Sequence, residues 1–442
     1  MSEKSSVAEP QVLPKKTGAE IETVVVGAPM VRKDAAAKAL GTAVYAGDMY
    51  MPGMLIGKAL RSRYPHARIL SIDTAAAKSI PGVHAVLTAR DVPGVNKFGL
   101  AIRDQEVLAS EKVRMMGDAV ALVAAETEDI ALDALEAIRV DYEELPGVFS
   151  IEEALAEGAP LVHEDVPGNL LQHTMVRKGN IEEGFNKSFI LLENTYMTQR
   201  VEHAYIEPET TLAYLDESSV MNVLTSTQYP FRDRRQIAPA LGMPHNMVRV
   251  TQMTTGGGFG GKDDVTTEIQ AALLALATRR AVRVTWTRAE SMACSTKRHP
   301  MKIHVKTGCD REGMLQAMWG TVTSDKGAYC SIGHFITKKC GLHLAGPYYV
   351  PHVHVDTYAV YTNNTISGAF RGFGILQAAF VHESQMDQLA ERAGISPLEI
   401  RVKNALRYGL STATGQVFHE SVGFGETLRC AEKYMQEQDL WG

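Results

Sequence analysis

The chain is 442 residues long and sets 45 Lys and Arg against 51 Asp and Glu, a formal net charge of −6. That balance gives no nucleic-acid-binding footprint, and 45% hydrophobic residues with only 22% charged exclude a disordered chain. The length accommodates two or three domains of about 150 residues each, and no apolar run approaches the roughly 18 residues that span a membrane.

The N-terminal stretch MSEKSSVAEPQVLPKKTG is polar and lacks the apolar core of a signal peptide, so residues 1–20 read as a flexible tail. A first unit, residues 21–147, mixes strand-like runs (MLIGKAL, VHAVLT, DAVALVAAE) with one helix, DIALDALEAI, that leads into the strand RVDYEEL. Pro-Gly pairs punctuate IPGVHAVLTARDVPG, and no catalytic constellation is legible in this unit. The stretch PGVFSIEEALAEGAPLVHEDVPGN holds a connecting segment, residues 148–167. From there a larger α/β unit, residues 168–442, contains every unusual motif.

The most unusual is MVRVTQMTTGGGFGGKDDVTTEIQAALLALATRR, starting at Met247. Val248 and Val250 alternate as in a strand, Val265, Ile269, Leu273 and Leu276 fall at helical spacing, and Val282, Val284 and Trp286 alternate again. Glycines surround Phe259 at this strand-to-helix corner and spell both GxxxxGK, from Gly256 to Lys262, and GxGxxG, at Gly256, Gly258 and Gly261. A phosphate loop needs Ser or Thr after the lysine, and Asp263 and Asp264 follow instead. In the first turn of a helix these carboxylates occupy the anion-favouring end and repel a phosphate. A dinucleotide fold wants an acidic residue about 20 positions on, and Glu290 comes late. What remains is a turn whose glycines permit close approach of something polar.

TSTQYP, upstream, offers Gln228 as an amide donor. ISGAFRGFGILQAAF is a second glycine-rich turn entering a helix, with Arg371 and with Phe373 as an apolar wall for a flat ligand. His-Glu occurs at His163, His382 and His419 without a second His four residues later, and no GxSxG is present, so zincin and nucleophile-elbow chemistry are excluded. His352 and His354 share a strand face but lack a third metal ligand. In GISPLEIRVKNAL, Ser396 reads as N-cap, Pro397 as the first helical residue and Glu399 as the closing member of a capping box. Cys294, Cys309, Cys330, Cys340 and Cys430 are odd in number and never form CxxC, which fits reduced thiols and no iron–sulfur cluster on this chain.

STQ, then GGGFGGK, then AFRGFG, in that order, resemble the molybdenum-binding subunit of the xanthine oxidase family. The resemblance covers nearly the whole chain. GTAVYAGDMYMPGMLIGKALRSRYPHARI through VDYEELPGV is similar to the family's small α/β hammerhead domain, and the three later motifs to its first molybdopterin-binding domain. HARI, YEELPGVF, IEPE, KRHPM, YTNN and ATGQV look closest to the nicotinate dehydrogenase type.

The resemblance implies a mixed α/β fold and hydroxylation of an electron-poor N-heteroaromatic carbon, nicotinate-like, with water as oxygen source. It implies a molybdenum-bearing molybdopterin cytosine dinucleotide cofactor, with [2Fe–2S] clusters and FAD on partner subunits. The backbone of Gly258, Phe259 and Gly260 is expected against the molybdenum centre, with Gln228 facing its oxo ligand and the Arg371 backbone approaching from the second turn. Asp263, Lys339 and Phe373 are expected to meet the substrate. Purine oxidisers of the family carry glutamate and arginine at the positions matching Asp263 and Lys339, so a xanthine dehydrogenase subunit is the alternative. An aldehyde oxidiser or a metal-free scaffold fits less well. No catalytic residue is expected on this chain. The general-base glutamate belongs to a second molybdopterin-domain subunit, because Glu426 in VGFGETL precedes that domain. A cytoplasmic dimer of the hetero-complex completes the expectation.

Overall fold

The computed structural model describes residues 30–440. The expected tail, residues 1–20, and residues 21–29 lie outside them. Two compact units divide the chain, residues 1–43 and 44–442. The described part of the first carries one short helix, Ala35–Ala39, with Asp34 bridging to Arg32 and Lys38 at 2.8 Å each.

The second unit is built on two large sheets. The first has seven strands in the order Val248–Gln252, Met221–Thr225, Thr210–Leu215, Val282–Thr285, Leu55–Arg61, Ala119–Ala125, Val83–Thr88. Strands from residues 55–125 and from residues 210–285 thus share one sheet. Leu55–Arg61 joins them, running parallel to Val282–Thr285 and antiparallel to Ala119–Ala125. Gly57 stands at that seam because a Cβ there would meet Val284 Cγ2 at 2.6 Å and Leu274 Cδ1 at 2.8 Å. The helix Glu268–Thr278 therefore packs directly on the sheet. Ile269, Ala271, Ala272, Leu273, Leu274 and Ala275 are all buried, so its apolar surface runs around the helix. Each fully buried Leu or Ile contributes about 1.5–3 kcal/mol by leaving water.

The second sheet has five strands, ordered Ile190–Thr198, Met301–Cys309, Leu315–Gly327, His352–Tyr361, Leu170–Lys178. Alternate burial along Met301–Cys309 and His352–Tyr361 follows the two-residue period of a strand. The helices Gly333–Leu342 and Ile375–Ala393 cover it, burying Ile336, Cys340, Ala378, Val381 and Leu389 in its core. Smaller elements include the hairpin Lys97–Phe98 with Gln105–Glu106. Residues 148–167 pack rather than dangle. Ser150 caps the helix Ile151–Leu155, and Ala154 joins Val148, Val162, Cys330 and Tyr361 in one cluster.

Two local expectations are corrected. The helix after the glycines begins only at Glu268, so Asp263 and Asp264 lie in the turn before it. The Glu268 carboxylate accepts from the Thr266 N–H at 2.6 Å and ends the turn there. Farther on, Ser396 caps the helix Pro397–Asn404, accepting from Glu399 N at 3.0 Å, but the Glu399 carboxylate pairs with Lys403 at 2.9 Å instead of closing a box.

Candidate functional site

Gln228 precedes the helix Pro230–Ala240, which Pro230 starts with its fixed φ. Its backbone N–H donates to the Lys262 carbonyl at 2.9 Å, and its Oε1 accepts the Gly260 N–H at 2.9 Å. The amide nitrogen, Nε2, is thereby left as a donor. A Cβ on Gly258 would collide with this same side chain, so glycine is required for Gln228 to lie against the loop. The N–H groups of Gly257, Gly258 and Phe259 have no partner in the protein among the described residues.

The corner is fastened by a buried ion pair. Lys262 Nζ and the Gly256 N–H both donate to Glu207 Oε2, at 2.8 and 2.6 Å, and Lys262 also lies 4.7 Å from the Tyr205 ring centroid. Burial lowers the Lys262 pKa, which the Glu207 carboxylate partly restores. Phe259 has φ +53° and is 48% exposed. Gly260, at φ +102°, lies so close to the second turn that an added Cβ would sit 2.7 Å from the Ala369 carbonyl oxygen.

The second turn answers the first. Arg371 N donates to the Phe259 carbonyl at 2.8 Å, joining the two motifs, and its own carbonyl accepts from Arg298 at 3.1 Å. The exposed Arg371 guanidinium has no protein partner among the described residues. His203 stacks on Phe370 with centroids 4.2 Å apart, and Arg298 covers the same ring at 3.9 Å.

Asp263, Lys339 and Phe373 line one cleft of ≈ 760 Å³. Lys339 Nζ lies 5.4 Å from the Phe373 ring centroid. Burial, then the neighbouring Asp264 carboxylate, pushes the Asp263 carboxyl up to about 7, against the opposing pull of Arg232. Its Oδ1 has no partner.

Several lining residues were missed in the sequence. Arg232 and Arg235, three apart on the helix Pro230–Ala240, face the cleft, as do Tyr229 and Phe335. The run RDRR after Gln228 is the signal that could have found the arginines. The segment of residues 21–147, in which no catalytic constellation was legible, contributes as well, against expectation. Gly99, Leu100, Ala101 and Arg103, on the loop of the hairpin Lys97–Phe98 with Gln105–Glu106, line the same cleft. Nothing in that loop's composition announces a site, because its role arises only from where the hairpin is carried.

Other candidates stay apart. Glu426 is exposed in the first turn of the helix Phe424–Glu437 and does not line the cleft. His352 Nδ1 accepts from Asn180 N at 2.9 Å, and His354 faces Asp356 at 3.2 Å. Among the described residues no group of three or more His, Cys, Asp or Glu is placed to hold a metal ion. All five cysteines are free, and burial pushes the Cys330 and Cys340 thiols up to about 12.

Comparison with known proteins gives this geometry a family. A molybdopterin cofactor-binding domain model matches residues 162–405, and the hammerhead domain model of aldehyde oxidase and xanthine dehydrogenase matches residues 40–146. The chain belongs to the xanthine oxidase family of molybdopterin-binding proteins. Within this family of molybdenum hydroxylases it is 44% identical to the nicotinate dehydrogenase large molybdopterin subunit of Eubacterium barkeri, over 92% of this chain and 96% of that one. It is also 44% identical to a probable xanthine dehydrogenase subunit of Bacillus subtilis, over 85% of this chain but 50% of that one. The aldehyde oxidoreductase structure from Desulfovibrio gigas superposes with a TM-score of 0.89 at 31% identity, over 92% of this chain and 46% of the other. The chain thus spans nearly all of the first relative and about half the length of the other two.

The donor set fits the family's cofactor. Unpaired N–H groups at residues 257–259 and the Gln228 amide suit an anionic, oxygen-bearing group, and the glycines leave the space for it to approach.

Proposed function

We propose that this chain is the molybdopterin-binding subunit of a multi-subunit hydroxylase, and that its cleft orients an anionic N-heteroaromatic substrate, nicotinate-like, for oxidation with water as oxygen source. The observation that carries the reading is the charge of the cleft. Arg103, Arg232, Arg235 and Lys339 line the cleft together with the Phe373 ring, with Asp263 as the acidic lining residue opposing them.

Phe373 offers a stacking face. Lys339 is a compact point charge suited to one carboxylate oxygen. Asp263 would repel an anion when ionised. With its pKa raised to about 7, it is largely protonated below neutrality and can donate a hydrogen bond. Gln228 and the N–H groups of residues 257–259 would hold the molybdopterin cofactor, in its cytosine dinucleotide form. When bound, that cofactor supplies a Lewis-acidic metal and accepts the electron pair. The general-base glutamate would come from a second molybdopterin-domain subunit, and [2Fe–2S] and FAD subunits would take the electrons onward. The Eubacterium and Bacillus relatives are both named as subunits, which supports such partners. A dimer of this hetero-complex in the cytoplasm is the assembly proposed; the free cysteines fit a reducing compartment.

The Bacillus subtilis relative supports a second reading, a purine substrate held between Asp263 and Lys339. Steady-state kinetics of the purified complex on nicotinate, xanthine and hypoxanthine separates the two. Lys339→Ala is expected to lower kcat/KM for nicotinate about ten- to a hundred-fold, the loss of one charge-assisted hydrogen bond of roughly 1.5–3 kcal/mol. Efficient purine turnover with none of nicotinate, abolished by Asp263→Asn, would install the purine reading instead.

A further inference from the structure

Behind the cleft lies a smaller interior space of ≈ 60 Å³, divided from it by Gly99 and Gln236, which line both. Five side chains on its wall carry a buried polar atom without a protein partner: Arg61 Nη2, Asp104 Oδ1, Gln270 Oε1, Trp286 Nε1 and Thr296 Oγ1. Gln270, Trp286 and Thr296 are only 7%, 5% and 4% exposed. Buried polar atoms are unfavourable unless something satisfies them.

The chemistry of the five selects the occupant. Arg61 and Trp286 only donate, the free Asp104 Oδ1 and the Gln270 oxygen accept, and the Thr296 hydroxyl does both. An anion would face Asp104, a cation would face Arg61, and an apolar guest would satisfy none. Water donates and accepts, and at roughly 10–15 Å³ per molecule the space holds about four to six.

We propose that this cavity binds a fixed cluster of about four to six water molecules, and that the cluster, with Asp264 and Asp104 on its wall, relays protons from Asp263 away from the cleft. Asp263 and Asp264 are chain neighbours that face opposite spaces, the cleft and the cavity. Asp264 Oδ2 accepts from the Ser331 hydroxyl at 2.6 Å. Asp104 Oδ2 accepts from the Cys330 N–H and the Tyr361 hydroxyl, both at 2.7 Å, which leaves Oδ1 for the cavity. Asp264 feels Lys326 and Arg232 as cations and Asp104, Asp263 and Asp233 as carboxylates; Asp104 also feels His163. Burial raises the pKa of all three relay carboxyls, so each holds a proton more readily than a carboxylate in water.

The relay, unlike the hydration, rests on the hydroxylase reading. There a C–H bond breaks, a C–O bond forms with an oxygen from water, the electron pair passes to the redox groups of the partner subunits, and two protons are released for each substrate. Asp263, on the cleft wall with a carboxyl raised to about 7, can take up such a proton.

The test uses the holo-complex with two near-isosteric variants, Thr296→Val and Gln270→Leu, each removing one cavity hydrogen-bonding group. Water-oxygen magnetic relaxation dispersion, read without substrate, is expected to show fewer long-lived internal waters in either variant. An unchanged number in both would overturn the cluster. Under turnover, kcat is expected to fall with KM unchanged, and the solvent deuterium isotope effect on kcat to rise. Fewer waters with unaltered kcat and isotope effect would overturn the relay. If the wild-type complex oxidises no heterocycle, the hydroxylase reading and the relay fail together, while the water count still decides the cluster. Should Thr296→Val fail to fold, Gln270→Leu carries the same readouts.

Discussion

The two glycine-rich turns do one geometric job by different physics. Each places a phenylalanine in the left-handed region, Phe259 at φ +53° and Phe373 at φ +50°, and each precedes a helix. The turn at residues 256–261 is fastened by charge, through the Lys262–Glu207 pair and the Gln228 amide. The turn at residues 368–374 is fastened by stacking, with Phe370 between His203 and Arg298. The first turn leaves N–H groups unpaired and its phenylalanine half exposed, while Phe373 packs against the core of the five-stranded sheet. A charged fastening lets the backbone stay open to a ligand, whereas a packed one fixes a wall. That contrast supports the open first turn as the main cofactor cradle and Phe373, on the second turn, as a wall for the substrate.

The largest effect is expected where the turns touch. Gly260→Val puts a branched side chain 2.7 Å from the Ala369 carbonyl in a conformation that L-residues rarely adopt. Loss of bound molybdenum from the purified complex is expected; full occupancy would separate the turns from the cofactor. Next comes the charged fastening itself. Lys262→Ala leaves Glu207 as an unpaired, mostly buried carboxylate, and a loss of about 3–5 kcal/mol in stability is expected, read as a lower denaturant midpoint.

Arg298→Ala, on the stacked turn, removes a cation over Phe370 and an exposed hydrogen bond to the Arg371 carbonyl, and should cost about 1–2 kcal/mol. If Arg298→Ala proved as damaging as Lys262→Ala, the charge-versus-packing distinction would collapse. A further expected effect is a pH dependence. The folded Asp263 carboxyl titrates at about 7 against an ordinary 3.8, so between those values the folded protein holds a proton that the unfolded chain has released. Stability contributed by this group therefore falls as pH rises through that window. KM for an anionic substrate should rise on the same titration, because an ionised Asp263 repels it. Asp263→Asn should flatten both dependences, which calorimetry and steady-state kinetics from about pH 5 to about pH 8 would read.

Much of this was legible in the residues, and the exceptions share a cause. The strand-like runs VHAVLT and DAVALVAAE and the helix DIALDALEAI match Val83–Thr88, Ala119–Ala125 and Glu128–Ala137 closely. These are decided by local composition and periodicity. The helix onset after the glycines was read too early because Val265 has helical spacing, yet Glu268 turns its carboxylate back onto Thr266 N–H and closes the turn first. The missed hairpin loop at residues 99–103 offered no local signal at all.

The sequence by itself determined the elements, the two glycine corners, the family and the identity of Gln228, Asp263, Lys339 and Phe373 as residues worth watching. Only the tertiary structure decided that segments near residues 100, 230, 263, 335 and 373 converge on one cleft, and that Asp263 there carries a carboxyl raised to about 7. Period and turn chemistry act over a few residues. Burial, and the field of Asp264 and Arg232 around Asp263, exist only after strands as distant as Leu55–Arg61 and Val282–Thr285 have paired.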